Sequence, residues 1–407
     1  MASVLQADGY RRLFISAAGV VFAVMGQAVA RGWLARDLTG TNAGLGGVML
    51  VFGLAMLVAT PWGGVAADRV PKRFLLLASV GALTASSLLL GVAVAADAIA
   101  YWMLLIASGV QAAAFAFYLP ARIAFITELV AAEQISEAIT LSQTAQEAMR
   151  VIAPALAGVL IGVSWSGTAG VFLLAAATNV LAGIVLLGLP PGRPVRHSDR
   201  SPLAEMSDAV AYVRRTHGLG LIALTTIGVV IVGFPYLTFL PALADERYGV
   251  GAGGYGVMSG IAGLGAVGAG LVAPHSRWMA RRPWSVIALS GVAFGGSVVL
   301  LGLAHTFWLA LVVLVLVGAT ALVFQTTTMS LMLSLSDVEF HGRLQSMVVL
   351  GFSGFGLAAL PFGALADTWS LRWVLVAMGV VVAAISAGFA WRRSTLARRA
   401  TAPLELA

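Results

Sequence analysis

Cysteine is absent from the 407 residues, so neither a disulfide nor a thiolate metal site can be built. Lysine occurs once, as Lys72, and it follows Pro71 rather than the glycine of a phosphate-binding loop. The chain therefore carries no nucleotide-hydrolysing motif of its own. The five histidines, at positions 197, 217, 275, 305 and 341, are scattered over loops and segment ends with no metal-ligand or nucleophile spacing. Charge is scarce at ten per cent of residues, too little to clothe a soluble surface. No catalytic constellation emerges, and no enzyme activity, metal or cofactor is expected.

What fills the chain instead is hydrocarbon. Sixty per cent of residues are apolar and the mean hydropathy is +0.96, which places the chain among polytopic membrane proteins. Each crossing of a bilayer takes about 20 apolar residues. The apolar runs predict helices at 12 to 35, 44 to 66, 73 to 96, 98 to 119, 138 to 162, 167 to 189, 218 to 242, 253 to 274, 284 to 304, 306 to 334, 343 to 365 and 370 to 391. The run after Arg11 and Arg12 continues past signal-peptide length without a small-residue cleavage site, so it is expected to be a retained first helix. A polar interval, 190 to 217, opens with Pro190-Pro191 and separates residues 1 to 189 from 218 to 391, two sets of six helices, with a tail at 392 to 407. Within it, 201 to 216 is expected to form an amphipathic helix on the membrane surface.

The net charge of +7 resembles a nucleic-acid signal only until the cations are located. Nineteen of them fall on one side of the predicted topology and three, Arg36, Arg247 and Arg372, on the other, with Arg31 and Arg150 inside spans. That asymmetry predicts cytoplasmic termini and no nucleic-acid partner.

The most polar turn between two spans is Gly63 to Arg73, where Asp68, Arg69, Lys72 and Arg73 follow a glycine pair. Glycines let helix ends approach closely, an acid is stabilised at a helix N-terminus, and the cations can pair with it or with lipid headgroups. Inside a span, Gln143, Gln146, Glu147 and Arg150 recur at helical spacing and share one face. Glu147 lies roughly 13 Å along that helix, near mid-membrane. A buried carboxyl beside an arginine is either a structural ion pair or a proton- or substrate-responsive group. Gln27, Arg31, Gln111, Tyr236, Gln325 and Thr326 are further polar candidates within spans. Arg31 falls near a span end, where snorkelling to the interface is expected. Phe234, Tyr236, Phe239 and Phe324 can line an aromatic wall, and the glycine-rich stretch 253 to 270 reads as a sliding seam between helices.

The Gly64, Asp68, Arg69, Lys72, Arg73 pattern resembles the loop signature between the second and third helices of the major facilitator superfamily, with Pro71 where that family has glycine. Ala153-Pro154 with Gly158 resembles the fifth-helix signature of its antiporters, with Ala153 replacing a glycine. Leu119-Pro120-Ala121-Arg122, Glu128-Leu129-Val130, Glu133-Gln134, Trp33-Leu34, Leu38-Thr39-Gly40, Gly342-Arg343 and Ser346 are similar to the enterobactin-exporter-like and macrolide-efflux-like branch. The resemblance implies a twelve-helix, two-bundle secondary transporter in a bacterial inner membrane. It is expected to be a monomer that exports a drug- or siderophore-like molecule by proton antiport. In that picture Asp68 and its cations are a conformational latch, Glu147 and Arg150 couple protons, and Pro154 and Gly158 shape a helix bend. One departure stands out: the fourth helix has Gln111 but no arginine ahead of it, so no proton-coupling role carries over to that helix. Uptake on the same fold, a membrane enzyme and a non-transporting receptor remain alternatives.

Overall fold

The computed structural model describes residues 4–162, 167–192, 211–216, 218–337 and 341–401. The first six long helices are α1 (Asp8–Thr39), α2 (Asn42–Arg69), α3 (Lys72–Ala95), α4 (Tyr101–Leu129), α5 (Ile135–Gly162) and α6 (Gly167–Leu187). The second six are α7 (Leu219–Arg247), α8 (Gly251–Val272), α9 (Pro283–Leu303), α10 (Phe307–Ser334), α11 (His341–Thr368) and α12 (Leu371–Thr401). Among the described residues eleven of these are long and apolar enough to cross a membrane, and α11 adds a further 28-residue helix.

The turns follow from local chemistry. α1 stops at Gly40, which takes the left-handed φ of 64° that a helix C-cap favours. Thr41 then caps α2 by accepting the Gly44 N–H at 3.0 Å, so two residues reverse the chain. Proline inside α2, α4, α5 and α11 is tolerated because neighbouring helices support the freed backbone.

In the first half α1 packs on α5 and α6, α3 on α4 and α6, and α2 on α4. In the second half α9 packs on α10 and α12, α8 on α10, and α7 on α11 and α12. The halves meet along α2 with α11 and α5 with α8. Large apolar side chains such as Ile152, Leu156, Val159, Trp308 and Val312 face outward, as a lipid-facing surface requires.

Three expectations need correction. α4 runs ten residues beyond its predicted end, so Pro120 and Arg122 lie in a helix rather than a loop. Arg122 is only 2% exposed, so it is not a surface cation. α7 is not one regular helix: Pro235 follows Gly233 and Phe234, the segment Phe234–Phe239 tightens to a 3-10 helix, and Leu243–Arg247 widens to a π-turn. α12 continues to Thr401, past the predicted span. The expected surface helix at 201 to 216 lies mostly outside the described residues, of which 211–215 are helical.

Candidate functional site

The face carrying the chain termini holds the Gly63–Arg73 turn. Lys72, 1% exposed, opens α3 and pairs with Glu128 near the end of α4 at 2.6 Å. Arg73 donates to the Leu189 carbonyl at 2.7 Å through Nη1, and its N–H to the Pro191 carbonyl at 3.2 Å. Gly192, with φ 77°, lies close against Lys72. These described partners all belong to the first half, so they brace α3 against α4 and the chain leaving α6. Arg69 and Gly64 are exposed, and nothing lies within 4 Å of a Cβ built at Gly64. The side chains of Asp68 and Glu147 lie outside the described residues.

α5 shows how the two halves are arranged. Its lipid-facing stripe is Ile152, Leu156 and Val159, all exposed. On its protein-facing side Pro154 and Gly158 are buried, yet Gln143 and Arg150, in line with them at helical spacing, are exposed nearer the termini. The same stripe is therefore covered by the second half at one end and uncovered at the other. Gln146 is buried, its amide donating to the Ser142 carbonyl at 3.0 Å and to Gln143 Oε1 at 3.4 Å.

Towards the face opposite the termini the halves are sealed by glycine. A Cβ on Gly158 would collide with the backbone of Gly256 in α8. A Cβ on Gly260 would stand 3.0 Å from the Ala155 side chain and one on Gly263 2.9 Å from that of Val151, so the glycine-rich helix lies closely against α5. Between α2 and α11, a Cβ on Gly46 would stand 2.5 Å from the Ala359 carbonyl, and one on Gly53 2.6 Å from that of Ser353.

A polar latch lies beyond this seam. Asp367 near the end of α11 accepts from the N–H of Asn42 at 2.7 Å, from its Nδ2 at 2.9 Å and from the Ala43 N–H at 2.8 Å. One carboxylate of the second half thus caps α2 of the first. Arg36 of α1 pairs with Glu246 and, at 3.8 Å, with Asp245, both on the π-turn of α7. That turn is held to the end of α9 by Arg247 and Tyr248, which donate to the Ala304 carbonyl at 2.8 and 3.0 Å.

Beneath the latch the first half contains buried polar groups. Ser87 donates to Gln27 Oε1 at 3.1 Å. Arg31 is 3% exposed, so the expected snorkelling does not occur; Nη1 reaches Ser108 at 3.4 Å and Nε has no partner. Gln111, one turn from Ser108, keeps its oxygen without a partner. Tyr236 is buried with its ring against Phe294, and Phe239 and Phe324 are also buried, so these rings pack the second half. Gln325 is half-buried, and Thr326 is exposed and donates to its own helix at Leu322.

Sequence reasoning missed the latch of Arg36, Asn42, Asp245, Glu246 and Asp367. The available signal was charge at span ends on the side with few cations. It also missed Arg122, whose Nε and Nη1 are buried without partners beside Tyr10 and Tyr118.

The two-bundle arrangement with a small-residue seam defines a class of polytopic transport proteins. Residues 13–356 match the family model described as Major Facilitator Superfamily, and the chain belongs to that family. A comparison with curated proteins gives no match. Among solved structures, the nucleoside transporter NupG is similar at 14% identity over 93% of this chain and 98% of that one, with a TM-score of 0.75. A POT family transporter in complex with 5-aminolevulinic acid has 13% identity over 93% and 94%, at 0.73. A bacterial homologue of the human lysosomal transporter Spinster, inward-facing and unoccupied, has 14% identity over 95% and 96%, at 0.70. At such identities these likenesses establish the fold alone. Family and fold together make this chain a transporter of the multi-pass membrane class.

Proposed function

We propose that the protein exports a small, largely hydrophobic molecule, drug- or siderophore-like, by alternating access in exchange for protons. The observation that carries this reading is α5, sealed against α8 at Gly158 and uncovered at Gln143 and Arg150. The cavity then opens on the cation-rich side, which the positive-inside asymmetry makes the cytoplasm of a bacterial inner membrane. A carrier open to the cytoplasm can collect its cargo there. Gln143 and Gln325 supply polar positions along the open path, Gln27, Arg31, Gln111, Gln146 and Tyr236, buried in this state, join it as the halves rock, and Pro154 shapes the helix that closes it.

Glu147 is the proton-coupling residue in this reading: charged it holds Arg150, and neutral it releases it. The Asp68 cluster stabilises the reverse state, closed on the cytoplasmic side, while the Asp367 and Arg36 contacts stabilise the present one. The carrier works as a monomer. Uptake on the same fold is the alternative, and direction of flux separates the two. Oriented proteoliposomes with an imposed pH gradient, tested with hydrophobic antibiotics, dyes and siderophores, should show gradient-dependent movement outward from the cytoplasmic face. That movement should be lost in Glu147→Gln; inward movement, or flux unchanged in that variant, overturns the direction or the coupling residue respectively.

A further inference from the structure

Arg31 stands eight residues before the end of α1, about 12 Å below the opposite face, and one and a half turns below the Arg36 latch. Its burial sets it apart from an ordinary membrane arginine. A guanidinium that glues helices together is met by a carboxylate or by several carbonyls, since a buried cation without a partner is strongly disfavoured. Arg31 has neither. Among the described residues it forms no ion pair; its single hydrogen bond, to Ser108, is long at 3.4 Å, and Nε has no acceptor. Buried apolar side chains, Val29, Ala30, Leu34, Leu104 and Ala107, occupy the same stretches of α1 and α4.

The position also lies between the halves. At the adjacent Gly32, a Cβ would stand 3.1 Å from the Tyr255 hydroxyl of α8 and 3.4 Å from Pro241 of α7. Tyr255 is also close enough to interact electrostatically with Arg31. When the opposite face parts, α1 leaves Tyr255 and Pro241, and Arg31 becomes open to water and ligand. A side chain that is buried without a partner in one state and uncovered in the other is suited to a partner that comes and goes.

We infer that Arg31, with Ser108 and Gln111, is the subsite for an oxyanion carried by an otherwise apolar substrate: a carboxylate, sulfonate or phosphate. The inference rests on the alternating-access reading and sharpens its substrate class. The guanidinium fork presents parallel N–H donors to such a group, the Ser108 hydroxyl adds another, and the Gln111 amide can turn either end to it. The dry surroundings strengthen the pairing and favour a ligand whose remainder is apolar.

The test uses the purified full-length chain in detergent, as wild type, Arg31→Lys and Arg31→Met. Probes are benzoate, naphthalene-2-sulfonate and phenyl phosphate, their neutral counterparts benzamide and naphthalene-2-sulfonamide, and dioctanoyl phosphatidic acid as the lipid arm. Without ligand, Arg31→Met should melt at or above the wild-type temperature, because an uncompensated buried charge has been replaced by a side chain of similar volume. At saturating concentration the anions should raise the wild-type melting temperature by about 3 °C or more, Arg31→Lys should keep part of the rise, and Arg31→Met none. A rise with phosphatidic acid alone supports the subsite and assigns it to a lipid headgroup. Three results overturn the inference: neutral probes as effective as anions, no rise with any anion, or a rise that survives in Arg31→Met. A separate flux assay distinguishes the two readings. Arg31-dependent stabilisation without flux would sink the transport reading and leave the subsite standing; flux of the anionic probes unchanged in Arg31→Met would do the reverse.

Discussion

Replacing Asp367 by alanine should loosen the face opposite the termini and little else. The Asp367 carboxylate accepts three hydrogen bonds at the start of α2, at 2.7, 2.8 and 2.9 Å, two of them from backbone N–H groups that a helix leaves unpaired at its first turn. A hydrogen bond to a charged acceptor contributes about 1.5–3 kcal/mol when shielded, but Asp367 is exposed and water replaces much of that. A total of about 2 kcal/mol for the set is reasonable, equivalent to roughly a 30-fold change in the ratio of closed to open states. With no native cysteine, spin labels can be placed cleanly at Ala96→Cys and His305→Cys, exposed sites of the first and second half at that face. Double electron–electron resonance should show a single distance in the otherwise wild-type chain and a substantial population at longer distance after Asp367→Ala. An unchanged distribution would refute the assignment of Asp367 as an inter-half latch, because nothing in its own half accounts for those three bonds.

Other perturbations test separate parts of the account. Gly158→Leu places a side chain where the backbone of Gly256 already lies, so it should abolish closure of the same spin-labelled face. Lys72→Met should lower thermal stability by about 1–3 kcal/mol by breaking the buried pair with Glu128; a melt follows it. Tyr10→Phe removes the hydroxyl that donates to the Ala138 carbonyl at 2.7 Å and meets Ser142 at 3.1 Å, and should cost about 1 kcal/mol in the same assay.

The helices were legible in the sequence because hydrocarbon thickness sets their length and charge marks their ends. Most of the predicted spans lie within a few residues of the observed ones, and Pro190-Pro191 does follow the sixth helix. Arg122 escaped because a proline at 120 and a cation at 122 look like a loop, while a helix buried among others can carry both. The break in α7 had a local signal, Gly233 followed by Phe234-Pro235, but its consequence, a π-turn presenting Asp245 and Glu246 to Arg36, joins positions some 200 residues apart. Spacing along one helix cannot report such a pairing. Nor could it decide which way Arg31 points: the residue count placed it near the membrane surface, and only the packing of α4 and α8 around it turns it inward. The aromatic residues were ambiguous for the same reason, since Phe239 and Phe324 fit a cavity wall or a core equally well by sequence and are found in the core.

The proposed transport cycle depends most on the carrier being open on the face that carries its termini. Gln143→Cys, on the uncovered stretch of α5, tests it directly when a membrane-impermeant maleimide is added to either side of vesicles of known orientation. Labelling from the terminal side alone, diminished when Gly158→Leu holds the opposite face apart, is the predicted result. Labelling only from the opposite side would contradict the arrangement on which the proposed transport cycle rests.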